Sequence, residues 1–246
     1  MKKLFGLIGY PLGHSFSRQY FIEKFAKENL ANCSFENFAI PSIKEIDNLI
    51  ATTPLLRGLS VTIPYKEQVL AFVHQLSDEV KMIGAANCIK IEAGVLTAHN
   101  TDTIGFEESF QKKLLPHHTK ALVLGTGGAS KAVQYVLQKM GIHFLLVSRS
   151  SSAQDNVIAY EMINKEMMEN FSVIINCSPA GMEPNGHECP KVPYQFLTSK
   201  HYLFDLVYKP AKTLFLQKGE EAGCTVENGL EMLFIQAEAN WKIWNS

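Results

Sequence analysis

Ala121-Leu122-Val123-Leu124-Gly125-Thr126-Gly127-Gly128-Ala129-Ser130 carries the strongest structural signal in this chain. An apolar run ends in glycines, and Val133, Val136, Leu137 and Met140 then recur at helical spacing through Ser130–Met140. That pattern is a strand, a tight turn and an amphipathic helix. Glycines at the turn let backbone N–H groups approach a pyrophosphate at the positive end of the helix. Ser130 stands where the usual fingerprint has its third glycine. A glycine-rich turn with no ligand is the plain alternative, and the strand–turn–helix context favours binding over it.

The following run, His143–Ser148, sharpens the reading, because it ends in Ser148-Arg149-Ser150. An NAD site usually carries an acidic residue there for the ribose hydroxyls. A guanidinium flanked by hydroxyls instead suits a 2′-phosphate through charge-assisted hydrogen bonds, which favours NADP.

Outward from this turn, short apolar runs alternate with longer amphipathic ones, as in βα units and parallel sheets. The runs are Leu4–Tyr10, Phe35–Ile40, Gly58–Thr62, Ala121–Gly125, His143–Ser148, Val173–Asn176 and Tyr202–Val207, with a hairpin over Asn87–Glu92 and Val95–His99. Helical patterning recurs at Ser17–Asn29 and at Leu230–Trp244, where Leu230, Leu233, Phe234, Ala237, Trp241 and Trp244 share a stripe. The 246 residues, 46% hydrophobic, suffice for two domains and exclude wholesale disorder. With 23 Lys and Arg against 24 Asp and Glu, the net charge of −1 gives no broad footprint for nucleic acid or an anionic membrane. No apolar run approaches the roughly 18 residues of a membrane span. The opening Met1–Gly9 imitates a signal peptide, yet Tyr10-Pro11 interrupts it without a small-residue cleavage site, so a buried first strand in a cytoplasmic protein is expected. Five scattered cysteines without a C-x-x-C argue against a disulfide framework and against a zinc site.

Leu115–Thr119 reads as a junction, which sets a domain boundary near Gly105. Periodicity alone leaves the last helix open to either domain. Three segments of the first half look chemical. In Gly9–Ser17, Ser15 and Ser17 can face an anion at a helix entry, or Ser17 is simply the N-cap. In Gly58–Lys66, Pro64 stiffens a turn that presents Lys66, either as a solvated charge or as a proton donor. In Asn100–Gly105, Asp102 is a helix N-cap or a partner of Lys66 that holds a substrate hydroxyl.

These segments, with Ala86–Ile89, Ile175–Met182, Asp205–Pro210 and Gly229–Ala237, agree in order and spacing with one family. The chain resembles the NADP-dependent shikimate dehydrogenases, which reduce 3-dehydroshikimate to shikimate on the route to chorismate and aromatic amino acids. The resemblance implies an α/β fold of two domains. An N-terminal α/β substrate domain over residues 1–104 and 228–246 would be joined to a C-terminal Rossmann-like NADP-binding domain over 105–227, with the last helix returning to the first domain. It implies Lys66 and Asp102 as the catalytic pair. Ser15, Ser17 and Tyr208 would hold the substrate carboxylate, and Thr62, Asn87 and Gln236 the ring oxygens. Gly125, Thr126, Gly127, Gly128, Ala129, Ser148, Arg149 and Ser150 would hold the cofactor phosphates, with Met182 and Gly229 beside the nicotinamide. The implied state is a cytoplasmic monomer or homodimer that closes around NADP(H) and a small molecule, with no metal.

The chain departs from the family at Arg18, Phe21 and Ile22 (usually a proline, then His-Asn), at Ser60 (an asparagine) and at Cys177-Ser178-Pro179 (Thr-Ser after Asn-Ala). These departures bear on the shape of the substrate pocket. Three alternatives stand beside the main reading: a quinate dehydrogenase using NAD or both cofactors, a catalytically silent NADP-binding sensor, and a one-carbon folate dehydrogenase. The last would not explain Ser15-Phe16-Ser17 together with Asn100-Thr101-Asp102. Among other residues, His14 is expected to be a loop hydrogen-bonding group and His117-His118 an exposed linker pair. Met162, Met167 and Met168 are expected in the core, with Trp241 and Trp244 anchoring the last helix.

Overall fold

Every apolar run named above becomes a strand, and the strands fall into two sheets. The structure is a computed structural model that describes residues 2–13, 16–151 and 156–246. Its chain divides into one unit of Met1–Thr101 with Gln236–Ser246 and a second of Asp102–Ile235.

The first unit holds β1 (Lys3–Gly9), α1 (Phe16–Lys27), β2 (Cys33–Ala39), α2 (Ile46–Thr52), β3 (Leu56–Val61), β4 (Gln75–Leu76), α3 (Asp78–Ile83), β5 (Cys88–Glu92) and β6 (Val95–His99). Its sheet runs β2-β1-β3-β5-β6-β4. β1 lies parallel to β2 and β3, and the β5–β6 hairpin joins antiparallel to β3. Alternation along β1 sends Ile8 into one core with Leu59 and Ile89, and Phe5 and Leu7 into another with Phe21, Phe25 and Trp244. Both faces are therefore covered.

The second unit holds α4 (Asp102–Phe110), β7 (Lys120–Leu124), α5 (Gly128–Lys139), β8 (His143–Ser148), β9 (Val157–Ala159), α6 (Lys165–Asn170), β10 (Val173–Asn176), β11 (Tyr202–Asp205), α7 (Leu214–Glu221), β12 (Thr225–Asn228) and the start of α8 (Leu230–Trp244). All its strands are parallel, in the order β12-β11-β10-β7-β8-β9. Counted from β7, this is the doubly wound order 3-2-1-4-5-6, and the strand order reverses between β7 and β10. Ala121 and Val123 face one core with Val133 and Phe204, while Leu122 and Leu124 face another with Ile174 and Phe215. A strand buried on both faces needs such a continuous apolar run.

Several expectations change. The boundaries fall at Thr101/Asp102 and Ile235/Gln236, so the first turns of α8 go with the second unit. Leu115–Thr119 lies inside that unit. His118 is buried: its Nδ1 accepts from the Leu115 N–H, its Nε2 meets the Lys200 carbonyl, and burial holds its pKa below the ordinary value. Leu230 and Phe234 are exposed, whereas Met232, Ala239 and Asn240 are buried, because the buried face of α8 changes along its length. Met162 is exposed and Met168 buried. Ser17 sits inside the first turn of α1 rather than at its N-cap. Trp244 stacks on Phe5 with ring centroids 5.0 Å apart, and its indole N–H donates to the Ile89 carbonyl. All five cysteines are free thiols. Among the described residues no helix is long and apolar enough to cross a membrane, and no three His, Cys, Asp or Glu side chains cluster as metal ligands.

Candidate active site

In an open parallel sheet, ligands bind outside the carboxyl ends of the strands, at the point where the order reverses. At that point in the second unit lies the glycine turn. Gly125 donates to the Val147 carbonyl at 2.8 Å and has φ +109°, a backbone region open to glycine. A Cβ there would lie 3.2 Å from the Ser178 nitrogen on the turn after β10. Gly127 is different: an added Cβ would meet nothing within 4 Å, so the turn shows bare backbone to open space. No side chain caps the N-terminus of α5. Bare backbone beside an uncapped helix N-terminus fits the phosphates of a dinucleotide. Thr126 is exposed, and Gly128 and Ala129 open the helix. On the neighbouring strand, Ser148 is half-buried and Arg149 and Ser150 are exposed beyond the end of β8.

The turns after β10 and β11 are fixed by buried polar groups that the sequence reading left without roles. The Asn176 Nδ2 donates to Asp205 at 2.9 Å, and its Oδ1 accepts from the Ser178 N–H and hydroxyl. Asp205 also accepts from the Val207 N–H at 3.0 Å and from the Thr213 hydroxyl at 2.6 Å. Together these bonds lock the turn leading to the exposed Met182 and the loop carrying the half-buried Tyr208, whose pKa burial raises. Gly229 follows β12, where a Cβ would fall 2.2 Å from the Leu206 carbonyl oxygen.

Burial pushes the Asp205 carboxyl from 3.8 up to about 6, against the pull of its three donors. The native carboxyl thus keeps its proton in a pH range where the unfolded one has lost it, so stability falls as pH rises through that window. The Thr213 hydroxyl matters most once the carboxylate is charged. Thr213→Val is therefore expected to cost about 1.5–3 kcal/mol at pH 8 but only about 1 kcal/mol at pH 5. Denaturant unfolding at the two pH values reads this. Thr213 also caps α7 through the Leu216 N–H, a loss that does not depend on pH, and equal losses at both values would leave that cap as its only role.

In the first unit, the carboxyl ends of β1, β3 and β6 and the start of β5 share one edge of the sheet. That topology gathers Gly9-Tyr10-Pro11, Thr62–Lys66, Asn87 and Asn100-Thr101 from distant parts of the sequence. The turn carrying Lys66 is pinned on both sides. The Thr62 N–H donates to Ile8, the Tyr65 hydroxyl donates to the Ile40 carbonyl at 2.5 Å, and the Lys66 carbonyl accepts from the Ala86 N–H at 2.7 Å. Lys66 and Thr62 are half-buried. Asn87 is buried, and its Nδ2 reaches the Thr101 hydroxyl at 3.0 Å and Gln236 on α8 at 3.3 Å. Asn100 donates to the Ala85 carbonyl, and Asp102, the next residue after Thr101, opens α4 and is itself buried. α1 with Ser17 is tied to α8 by Glu238, which accepts from the Tyr20 hydroxyl and pairs with Lys24 at 2.9 Å.

Of the expected substrate ligands, the fold brings Thr62, Asn87 and Gln236 to this edge, and Tyr208 lies in the second unit. Ser15 and His14 lie outside the described residues. Asn176, Asp205, Thr213, Thr101 and Asn240 went unassigned in the sequence. For Asn176 and Asp205 a signal existed: each is an amide or carboxylate closing a run of apolar and aromatic residues, Val-Ile-Ile-Asn and Tyr-Leu-Phe-Asp.

The profile of the shikimate dehydrogenase substrate binding domain matches residues 7–89. A shikimate dehydrogenase (NADP(+)) of Syntrophomonas wolfei is 36% identical, over 96% of this chain and 87% of that protein. The crystal structure of shikimate dehydrogenase 1 from Peptoclostridium difficile superposes with a TM-score of 0.87 at 33% identity, covering 99% of this chain and 91% of that one. A shikimate 5-dehydrogenase from Thermus thermophilus, solved with NADP(H) and shikimate, gives 0.85 at 30% identity over 98% and 93% of the two chains. By near full-length identity, by topology and by the matched substrate-domain profile, this chain belongs to the shikimate dehydrogenase family.

Proposed function

We propose that the chain is an NADP-dependent shikimate dehydrogenase that reversibly reduces 3-dehydroshikimate to shikimate. The observation that carries the proposal is the meeting of Asn87 and Gln236. They are 149 residues apart in sequence, yet sit 3.3 Å apart at the sheet edge from which Thr62 and Lys66 extend. The proposal is supported by the 36% identity to a relative named for this activity and by the superposition on a shikimate 5-dehydrogenase solved with NADP(H) and shikimate.

NADPH, when bound through the Gly125–Ala129 turn and Ser148-Arg149-Ser150, supplies the hydride. The residues supply binding and proton handling. Ser17 receives the carboxylate at the N-terminal end of α1, where backbone dipoles favour an anion; the family resemblance gives Ser15 and Tyr208 the same ligand. Thr62, Asn87 and Gln236 hydrogen-bond the ring oxygens and hold the ketone in place. As the ketone carbon gains the hydride, its oxygen becomes alkoxide-like. The Lys66 ammonium stabilises that charge and gives the oxygen a proton, which it regains from water. In the oxidative direction the neutral amine takes the hydroxyl proton instead. Asp102 acts with Lys66 as the second catalytic group and accepts from a neighbouring substrate hydroxyl. The family resemblance would place Met182 and Gly229 beside the nicotinamide. The same reading puts the chain in the cytoplasm as a monomer or homodimer.

Incubation of the purified protein with 3-dehydroshikimate and NADPH tests this. One shikimate, identified by mass and chromatographic retention, should form for each NADPH consumed. NADPH binding with no consumption would mark the chain as a silent binder and refute the proposal.

A further inference from the structure

Three buried amides of the first unit, Asn87, Gln236 and Asn240, close a ring through the Thr101 hydroxyl, and Asn240 belongs to no expected site. Asn240, on α8, is fully buried. Its Oδ1 accepts from the Thr101 hydroxyl at 2.6 Å, and its Nδ2 donates to Ser60 at 3.1 Å and to the Gln236 Oε1 at 3.4 Å. The ring continues from Thr101 to Asn87 and from Asn87 to Gln236.

Its polarity follows from one backbone group. The Thr101 N–H can only donate, and it meets the Asn87 Oδ1 at 2.7 Å, so the Nδ2 of Asn87 faces Thr101 and Gln236. The Thr101 hydroxyl accepts that N–H and has two acceptors within reach, the Asn87 Oδ1 at 3.2 Å and the Asn240 Oδ1 at 2.6 Å; its proton goes to the nearer one, on Asn240. The Nδ2 of Asn240 must then face Ser60 and Gln236. Two amide donors now converge on the Gln236 Oε1, which turns its Nε2 away from both. A flip of Gln236 would set N–H against N–H twice in a buried site, where unmade hydrogen bonds are expensive.

We infer that Asn240 is a positioning residue that holds Gln236 with its Nε2 donors toward the ligand, so that the site selects an acceptor oxygen at that point. The family resemblance places an asparagine at the position of Ser60. Here the strand offers only a hydroxyl, and the amide comes from the helix facing it. The ligand part of this inference rests on the function proposed above, and the orientation part does not.

The test compares wild type with Asn240→Leu, and with the smaller Asn240→Ser should leucine prevent folding. The side-chain amide signals of Gln236 in ¹⁵N spectra, assigned by their loss in Gln236→Ala, are expected to shift in the variant without any substrate. In kinetics, KM for shikimate should rise about tenfold, while kcat and KM for NADP stay within about threefold. A folded variant with unmoved Gln236 signals would overturn the inference. So would a parallel rise in both KM values, which would make Asn240 a general structural residue. A wild type that turns over no shikimate would count against the proposed activity instead, and the Gln236 signals would still decide the orientation.

Discussion

Lys66→Ala is expected to lower kcat by about 10²–10⁴ with a smaller change in KM, since a positioned proton donor is worth about that much. The split follows from when the ammonium acts. Charge appears on the substrate oxygen only as the hydride arrives, so the loss falls on the transition state more than on the bound ground state. The backbone around Lys66 is held by the Ala86 N–H and by the Tyr65 hydroxyl, neither of which the substitution touches. Folding should therefore survive, and circular dichroism of the variant should match wild type. Lys66→Met, which keeps the length of the stem, should be as slow as alanine. Steady-state rates in both directions read these effects. A kcat near that of wild type in either variant would remove the lysine from the chemistry.

The second large effect is a change of cofactor preference. Arg149 is exposed at the end of β8, one strand from the glycine turn, and its guanidinium suits the 2′-phosphate that distinguishes NADP from NAD. Hydrogen bonds to a charged group are worth about 1.5–3 kcal/mol, so Arg149→Ala should lower kcat/KM for NADP about 10- to 150-fold. With NAD the same variant should stay within about twofold of wild type, because no group on that ligand loses a partner. Equal losses with both cofactors would make Arg149 a structural residue.

The sequence made some parts of this protein legible and hid others, for physical reasons. Strands buried on both faces show as unbroken apolar runs, so β7, β8, β10 and β11 were visible, and the glycines after β7 named the turn. β12, Thr-Val-Glu-Asn, is a half-buried edge strand with three polar positions and carries no such run. For α4 the sequence offered only Asp102 as a possible N-cap, and the helix begins at that residue itself. It is held by Phe106 and Phe110 packing on Phe204, a contact between residues almost a hundred positions apart. Lys66 and Asp102 were candidates from their own segments, whereas Asn87 and Gln236 were singled out through family order alone. The Asn240 ring was not, because an asparagine on an apolar helix means nothing until Thr101, 139 positions away, is seen opposite it. The same holds for the Asp205–Asn176–Thr213 network, whose members meet only when β10 and β11 pair.

The central claim is an activity and a cofactor together, and initial rates of oxidation test both most directly. Shikimate and quinate are each offered with NADP and with NAD, and formation of the reduced cofactor is followed by absorbance. The account predicts turnover of shikimate with NADP far above the other three pairs. Comparable rates with quinate or with NAD would contradict it and move the chain to a broader dehydrogenase.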